Sequence, residues 1–271
     1  MIVDYHMHLR DAGGRIDHAV PAVERFVETA TRRGVDEIGF TEHVYYFRQT
    51  RHVWDLPYQT ERCVYDLDAY CDAVLEAKRR GVPVKLGLEV DYVGGRQERL
   101  DELLAPYPWD YLLGSVHWLD GLAVDQEPGV WGRLPVEQVW RRYFACLAEL
   151  ARSGAVDALA HVDLAKIFGL RPEPQTTAAL HEQAAEAIAG AGVCVEVSTA
   201  GLRKPVGELY PDPGLLRACA HRGVPITLAS DAHEPQTVGL DLERAVELAR
   251  AAGCQTVTVF EGRQRRQEPL G

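Results

Sequence analysis

The chain has 271 residues, 46% of them hydrophobic and 25% charged, with a formal net charge of −11. That length accommodates one large α/β domain or two modest ones, with the composition of an ordinary globular protein. The acidic balance argues against a general nucleic-acid binder, which needs a basic surface to neutralise phosphates, and no apolar run approaches the ~20 residues that span a bilayer.

The N-terminus carries neither the basic segment nor the apolar core of a secretory signal, so a cytoplasmic location is expected. The first predicted strand, near 2–5, runs into His6 and His8 of DYHMHLRD. Residues two apart on an extended chain share a face, so this pair presents two imidazoles side by side, half of a metal site. Val23, Phe26, Val27 and Ala30 then fall at helical spacing and predict a one-sided helix. A strand at 36–40 leads to Glu42 and His43 in GFTEH, and one at 84–88 leads to Glu89 and Asp91 in LGLEVD. Strands at 110–115 and 156–160 end at His117 in GSVH and at His161 and Asp163 in AHVDL. A strand at 193–198 precedes Arg203 and Lys204, and one at 225–230 precedes Asp231 and His233 in SDAH. A helix with Leu242, Ala245, Val246 and Ala249 on one face comes before a short strand near 256–260, and residues 262–271 are expected to form a solvated tail.

Six of these connections place a glycine between a helical segment and an apolar run, at Gly34, Gly81, Gly154, Gly192, Gly223 and Gly253. Glycine supplies the left-handed residue that ends a helix, so the chain repeats an α-to-β connection. Alternating β and α units predict a parallel sheet with helices outside it, and seven or eight units suggest a barrel. A doubly wound sheet would carry a glycine-rich loop after its first strand, where this chain has HMHLRD.

Six of the ten histidines sit at or just past the C-terminal end of a predicted strand, with Glu89, Asp91, Asp163 and Asp231 on the same edge. In barrels that edge is where side chains from separate strands converge. So many imidazoles and carboxylates would repel and desolvate one another, and a polynuclear metal site resolves the conflict. The six cysteines are scattered and fit small core residues, which leaves nitrogen and oxygen ligands for any metal. His181 and His221 lie in helices and are expected to be exposed; His18 and Asp11, in the loop after the first strand, compete for a further ligand position.

The ordered set HMH, FTEH, GLEVD, GSVH, AHVDL and SDAH resembles the PHP (polymerase and histidinol phosphatase) superfamily, from residue 2 to about residue 235. The segment STAGLRKPVGELYP further resembles the histidinol-phosphatase members. The resemblance implies a single-domain, distorted (β/α)7 TIM-like barrel binding two to three divalent metals, with Zn, Mn or Fe all compatible with the donor set. Carried over by motif, His6, His8, Glu89 and Asp231 would hold one metal. Glu89 would bridge to a second held by His117 and His161, and His43 and His233 would hold a third, completed by Asp11 or His18. Val162 stands where many relatives carry proline, and His161 and Asp163 are expected to stay on one face.

The implied reaction is hydrolysis of L-histidinol phosphate, a small phosphorylated metabolite of histidine biosynthesis, with no nucleic-acid or membrane partner. Arg203 is expected to grip the phosphate, with a lesser part for Lys204, and Asp231, His233 or Asp163 to supply the leaving-group proton. Glu42, Asp91, Glu208 and the run Tyr45, Tyr46, Phe47 are candidates for a wall facing the cationic end of the substrate. The competing expectations are a broader phosphoesterase acting on nucleotides or other small phosphate esters, and an amide or lactone hydrolase, which also starts from H-x-H.

Overall fold

A computed structural model describes residues 1–11, 13–126 and 129–271. Its strands are β1 (Val3–Asp4), β2 (Glu37–Phe40), β3 (Val84–Asp91), β4 (Tyr111–Ser115), β5 (Trp118–Leu119), β6 (Leu122–Ala123), β7 (Ala158–Leu159), β8 (Cys194–Ser198), β9 (Ile226–Ala229), β10 (Thr256–Glu261) and β11 (Gln264–Pro269). The helices are α1 (Val20–Arg32), α2 (Pro57–Thr60), α3 (Leu67–Arg79), α4 (Gln97–Leu104), α5 (Val136–Arg152), α6 (Pro174–Ala191), α7 (Pro213–His221) and α8 (Leu242–Ala251).

Seven strands form one parallel sheet in the order β1-β2-β3-β4-β7-β8-β9. The first and last nearly close it: Tyr5 N–H donates to the Leu228 carbonyl at 3.0 Å, and His8 N–H to the Ala232 carbonyl at 2.8 Å. The longer sheet strands are buried throughout, as a layer covered on both faces requires. The predicted seven-unit barrel is therefore the fold. All six glycines at the α-to-β connections have positive φ, from 70° at Gly34 to 101° at Gly253. α8 buries the predicted four residues; α1 buries Val23, Phe26 and Ala30 together with Ala22 and Thr29, while Val27 is only half-buried.

The expected tail is corrected by the structure. Residues 264–269 pair antiparallel with β10 over six residue pairs, and only their side chains remain in water. The hairpin lies against the N-terminal end of the barrel. There Phe260 stacks on Tyr111 at 5.3 Å between ring centres, and Tyr111 lies 5.1 Å from Tyr5. The Tyr111 ring occupies the space that a Cβ on Gly39 or Gly87 would need, so these two glycines make room for the plug. β10 thus seals the floor of the barrel instead of adding an eighth stave, and the opposite rim is left to the histidines.

Candidate metal centre

His6 and His8 follow β1 on extended chain, with Met7 between them bridged to Ala232 and pointing into the core. This alternation turns both imidazoles to the barrel interior. His43 is bridged in parallel to Glu89, and His117 and His161 follow β4 and β7. Two residues of the rim have left-handed backbone: Asp231 (φ 52°) and His161 (φ 24°). Such strain persists only where surroundings enforce it. At His161 the surroundings are explicit. Its N–H donates to Glu196 Oε1 at 3.1 Å, and its carbonyl accepts from the Tyr143 hydroxyl at 3.2 Å.

Glu89 is the hub, fully buried on β3. Its Oε2 lies 3.5 Å from His6 Nε2, 3.7 Å from His8 Nε2 and 2.6 Å from His43 Nδ1. Its Oε1 lies 3.5 Å from His117 Nε2 and 3.3 Å from His161 Nε2. Asp231 Oδ1 closes the first group at 3.6 Å from His6 Nε2 and 3.5 Å from His8 Nε2. The His8 ring lies 4.4 Å from that of His43 and 4.2 Å from that of His233.

Metal ions fit this arrangement. His6 Nε2, both ring nitrogens of His8, His43 Nδ1, His161 Nδ1, Glu89 Oε2 and Asp91 Oδ2 are buried atoms without a hydrogen-bond partner among the described residues. Donors held about 2.1 Å from a common ion stand roughly 3–3.5 Å from one another, close to the spacings here. Four overlapping groups bring ligand atoms within 4.8 Å: His6, His8 and Asp231; His6, Glu89 and His161; His8, His43 and His233; and His43, Asp91 and His117. All eight residues expected as ligands are gathered in these groups.

The electrostatics match a cation-binding pocket. Burial works to raise the Glu89 carboxyl, but His43, His6 and His117 outweigh it and hold the group well below the usual carboxylate range. Burial likewise works against Asp231, and His6 and His8 reverse it. His117 would be lowered by burial, yet Asp91 and Glu89 push it up to about 10. Burial lowers His43. Anionic oxygens and imidazole nitrogens at close range are the donor types of zinc and related divalent metals.

Several expectations are corrected. Asp11 turns to its own loop, accepting from the Gly13 and Arg15 amides at 2.8 and 2.9 Å and pairing with the Arg15 side chain. His18 points Nε2 at Glu42 Oε1, 3.4 Å away, and packs among Phe47, Tyr65 and Tyr70. Neither joins a ligand group. Asp163 does not share a face with His161: the chain turns after His161, and Asp163 Oδ2 meets Lys166 Nζ at 3.0 Å and the Asp212 amide at 2.6 Å. This removes Asp163 as a proton donor. His181 is buried between α5 and α6, its ring 6.0 Å from those of Trp140 and Phe144, whereas His221 is exposed as expected. Glu208 is taken by Arg171, and Phe47 is core.

Arg203 is an exposed residue whose guanidinium donates to the Ser230 carbonyl, beside Asp231, and to the Thr199 carbonyl at 3.4 Å. Lys204 is exposed. Sequence reasoning passed over Asp91 as a ligand and missed Glu196 entirely. Glu196 is fully buried on β8 and holds His6 Nδ1 at 2.8 Å. The signal was present, a carboxylate inside the apolar run VCVEV, where a charge needs a partner. Glu42 fills the equivalent place for His8, with Oε2 3.6 Å from Nδ1 and Oε1 accepting from the Leu9 amide and Arg10.

A parallel barrel with imidazoles and carboxylates converging on its C-terminal rim defines a metal-dependent hydrolase. A family model described as PHP domain matches residues 4–200, and the chain belongs to that family. A protein of Deinococcus radiodurans named "Probable histidinol-phosphatase" is 35% identical over 271 residues, covering 99% of both chains. A protein of the same name from Schizosaccharomyces pombe is 25% identical, covering 96% of this chain and 90% of its own. The fold matches the crystal structure of histidinol phosphate phosphatase from Lactococcus lactis, complexed with zinc, L-histidinol and phosphate. The TM-score is 0.76 at 19% identity, with 98% of each chain covered.

Proposed function

We propose that this chain hydrolyses L-histidinol phosphate to L-histidinol and phosphate, a step of histidine biosynthesis. The observation that carries the reading is the joint one of full-length similarity to proteins named histidinol-phosphatase and a buried His/Glu/Asp constellation at the barrel rim. We assign His6, His8, Glu89 and Asp231 to one divalent ion, Glu89, His117 and His161 to a second, and His43 and His233 to a third, with Asp91 added to the His43 and His117 side. When bound, such ions acidify a water toward neutrality and polarise a phosphoryl oxygen.

The protein's own residues do the rest. Glu196 accepts from His6 Nδ1, which fixes the tautomer that leaves His6 Nε2 facing the pocket, and Glu42 sets a carboxylate oxygen 3.6 Å behind His8 Nδ1. Arg203 meets phosphate oxygens at the rim, its fixed charge opposing the negative charge that grows in the transition state. Lys204 adds positive potential at the same edge. Asp231 and His233, the latter the most open of the site imidazoles, stand at the rim where the departing alkoxide takes up its proton. We place the reaction in the cytoplasm.

The test is phosphate release from L-histidinol phosphate, a nucleoside monophosphate and an aryl phosphate, compared by kcat/KM. Preference for histidinol phosphate supports the reading; preference for the nucleotide makes the chain a broader phosphoesterase.

A further inference from the structure

Asp4 ends β1 two residues before His6, is wholly buried, and belongs to none of the four ligand groups. A carboxyl group so deep persists only where hydrogen-bond donors meet it. Here the donors come from the two ends of one distant segment. Asp4 Oδ1 accepts the Ser230 backbone N–H at 2.8 Å, and Oδ2 accepts the Ser230 hydroxyl at 2.5 Å and the Gly239 backbone N–H at 2.8 Å.

Between those anchors lie Asp231 and His233. Asp231 has left-handed backbone, φ 52°, which a residue with a Cβ keeps only under constraint. Its neighbours on both sides are fixed. Ala232 N–H donates to the His6 carbonyl at 3.2 Å, and the Ala232 carbonyl accepts from His8 N–H at 2.8 Å, which ties the following residue to the H-x-H strand. Asp4 ties the preceding residue, Ser230, whose carbonyl also accepts from the Arg203 guanidinium.

We propose that Asp4 is a positioning residue of the metal centre: by binding Ser230 and Gly239 together it closes the segment that carries Asp231 and His233, and keeps the Asp231 carboxylate turned toward His6 and His8. Asp4 itself acts only through that segment. The proposal rests on Asp231 being a metal ligand. Asparagine keeps the shape of aspartate with a single acceptor oxygen. With that oxygen on the Ser230 N–H, its NH2 group faces the Gly239 N–H; turned over, it faces the Ser230 N–H. Either way one buried amide loses its acceptor, a costly state that the segment relieves by shifting.

The experiment compares the parent, Asp4→Asn and Asp231→Asn by chelator competition for zinc, and by amide hydrogen exchange of the metal-free proteins. Asp4→Asn should weaken zinc binding about tenfold and speed exchange in residues 230–239, with β3 and β8 exchanging as in the parent. Phe260→Leu, at the opposite end of the barrel, is the control for lost stability: it should lower Tm and leave zinc affinity unchanged. Ser230→Ala removes one of the three bonds with both amides still paired, should weaken zinc binding about threefold, and decides the matter if Asp4→Asn does not fold. Undiminished zinc affinity or unaltered exchange in Asp4→Asn, or undiminished affinity in Ser230→Ala where that is the folded variant, overturns the proposal. An equal loss in Phe260→Leu also overturns it, by making the effect one of stability. Full zinc affinity in Asp231→Asn overturns it through the ligand assignment, whereas loss in Asp231→Asn alone leaves that assignment standing and removes the role of Asp4.

Discussion

Glu196 holds His6 from behind: its Oε2 lies 2.8 Å from His6 Nδ1, both side chains are fully out of water, and its other oxygen accepts the His161 backbone N–H at 3.1 Å. One carboxylate thereby orients two residues of the pocket. Glutamine has a single acceptor oxygen and would turn its NH2 group toward one of two donors. Glu196→Gln should therefore lower metal affinity or kcat about 10- to 100-fold, with little change in KM. Chelator competition and steady-state kinetics check this, and an unaltered metal affinity would leave Glu196 a purely structural residue.

Arg203 is the test of phosphate recognition. Lysine keeps the charge but loses the planar fork, so Arg203→Lys should reduce kcat/KM by roughly 10- to 100-fold, the size of one or two charged hydrogen bonds. Unchanged kcat/KM contradicts the assignment.

The rim histidines were legible because barrel topology sends every strand's C-terminal end to one place, so histidines at five of the seven ends already implied their meeting. Three things were not legible, for physical reasons. Glu196 and Asp91 sit among apolar residues, where a strand pattern records burial but not what a buried charge faces. Asp163 follows His161 closely, yet a left-handed residue and a turn separate their directions, and no periodicity predicts that. The last residues are polar because their side chains are solvated, while the backbone of β11 is fully engaged with β10, a pairing that side-chain composition does not register.

Lys166 and Asp163 form a pair with no solvent access, and Lys166 also donates to the Leu209 carbonyl at 2.7 Å. Removing one member of a buried pair strands the other charge, so Lys166→Met should cost about 3–5 kcal/mol in urea unfolding. Adding Asp163→Asn should recover part of that loss. If the double variant is no more stable than the single one, the pair does not act as a unit.

His181 gives a pH signature away from the metal pocket. Burial between Trp140 and Phe144 lowers its imidazole below the ordinary value near 6.5, against the opposing pull of Asp163 and Asp212. A depressed folded-state value means the unfolded chain binds the proton more readily. The contribution is therefore complete above pH ~6.5 and is lost as pH falls through the folded value. His181→Phe should show a shallower decline in stability from pH 7 to 5 than the parent, measured by denaturant midpoints. Parallel declines would contradict this.

The central claim is that divalent metals hold the rim imidazoles and carboxylates together. Elemental analysis of the purified, desalted protein tests it most directly, set beside the same analysis of Glu89→Gln, the shared hub. The account predicts about two to three transition-metal ions per chain and a clear fall when Glu89 is replaced. A metal-free protein that still hydrolyses the phosphate ester, or a Glu89 variant with full metal content, would contradict it.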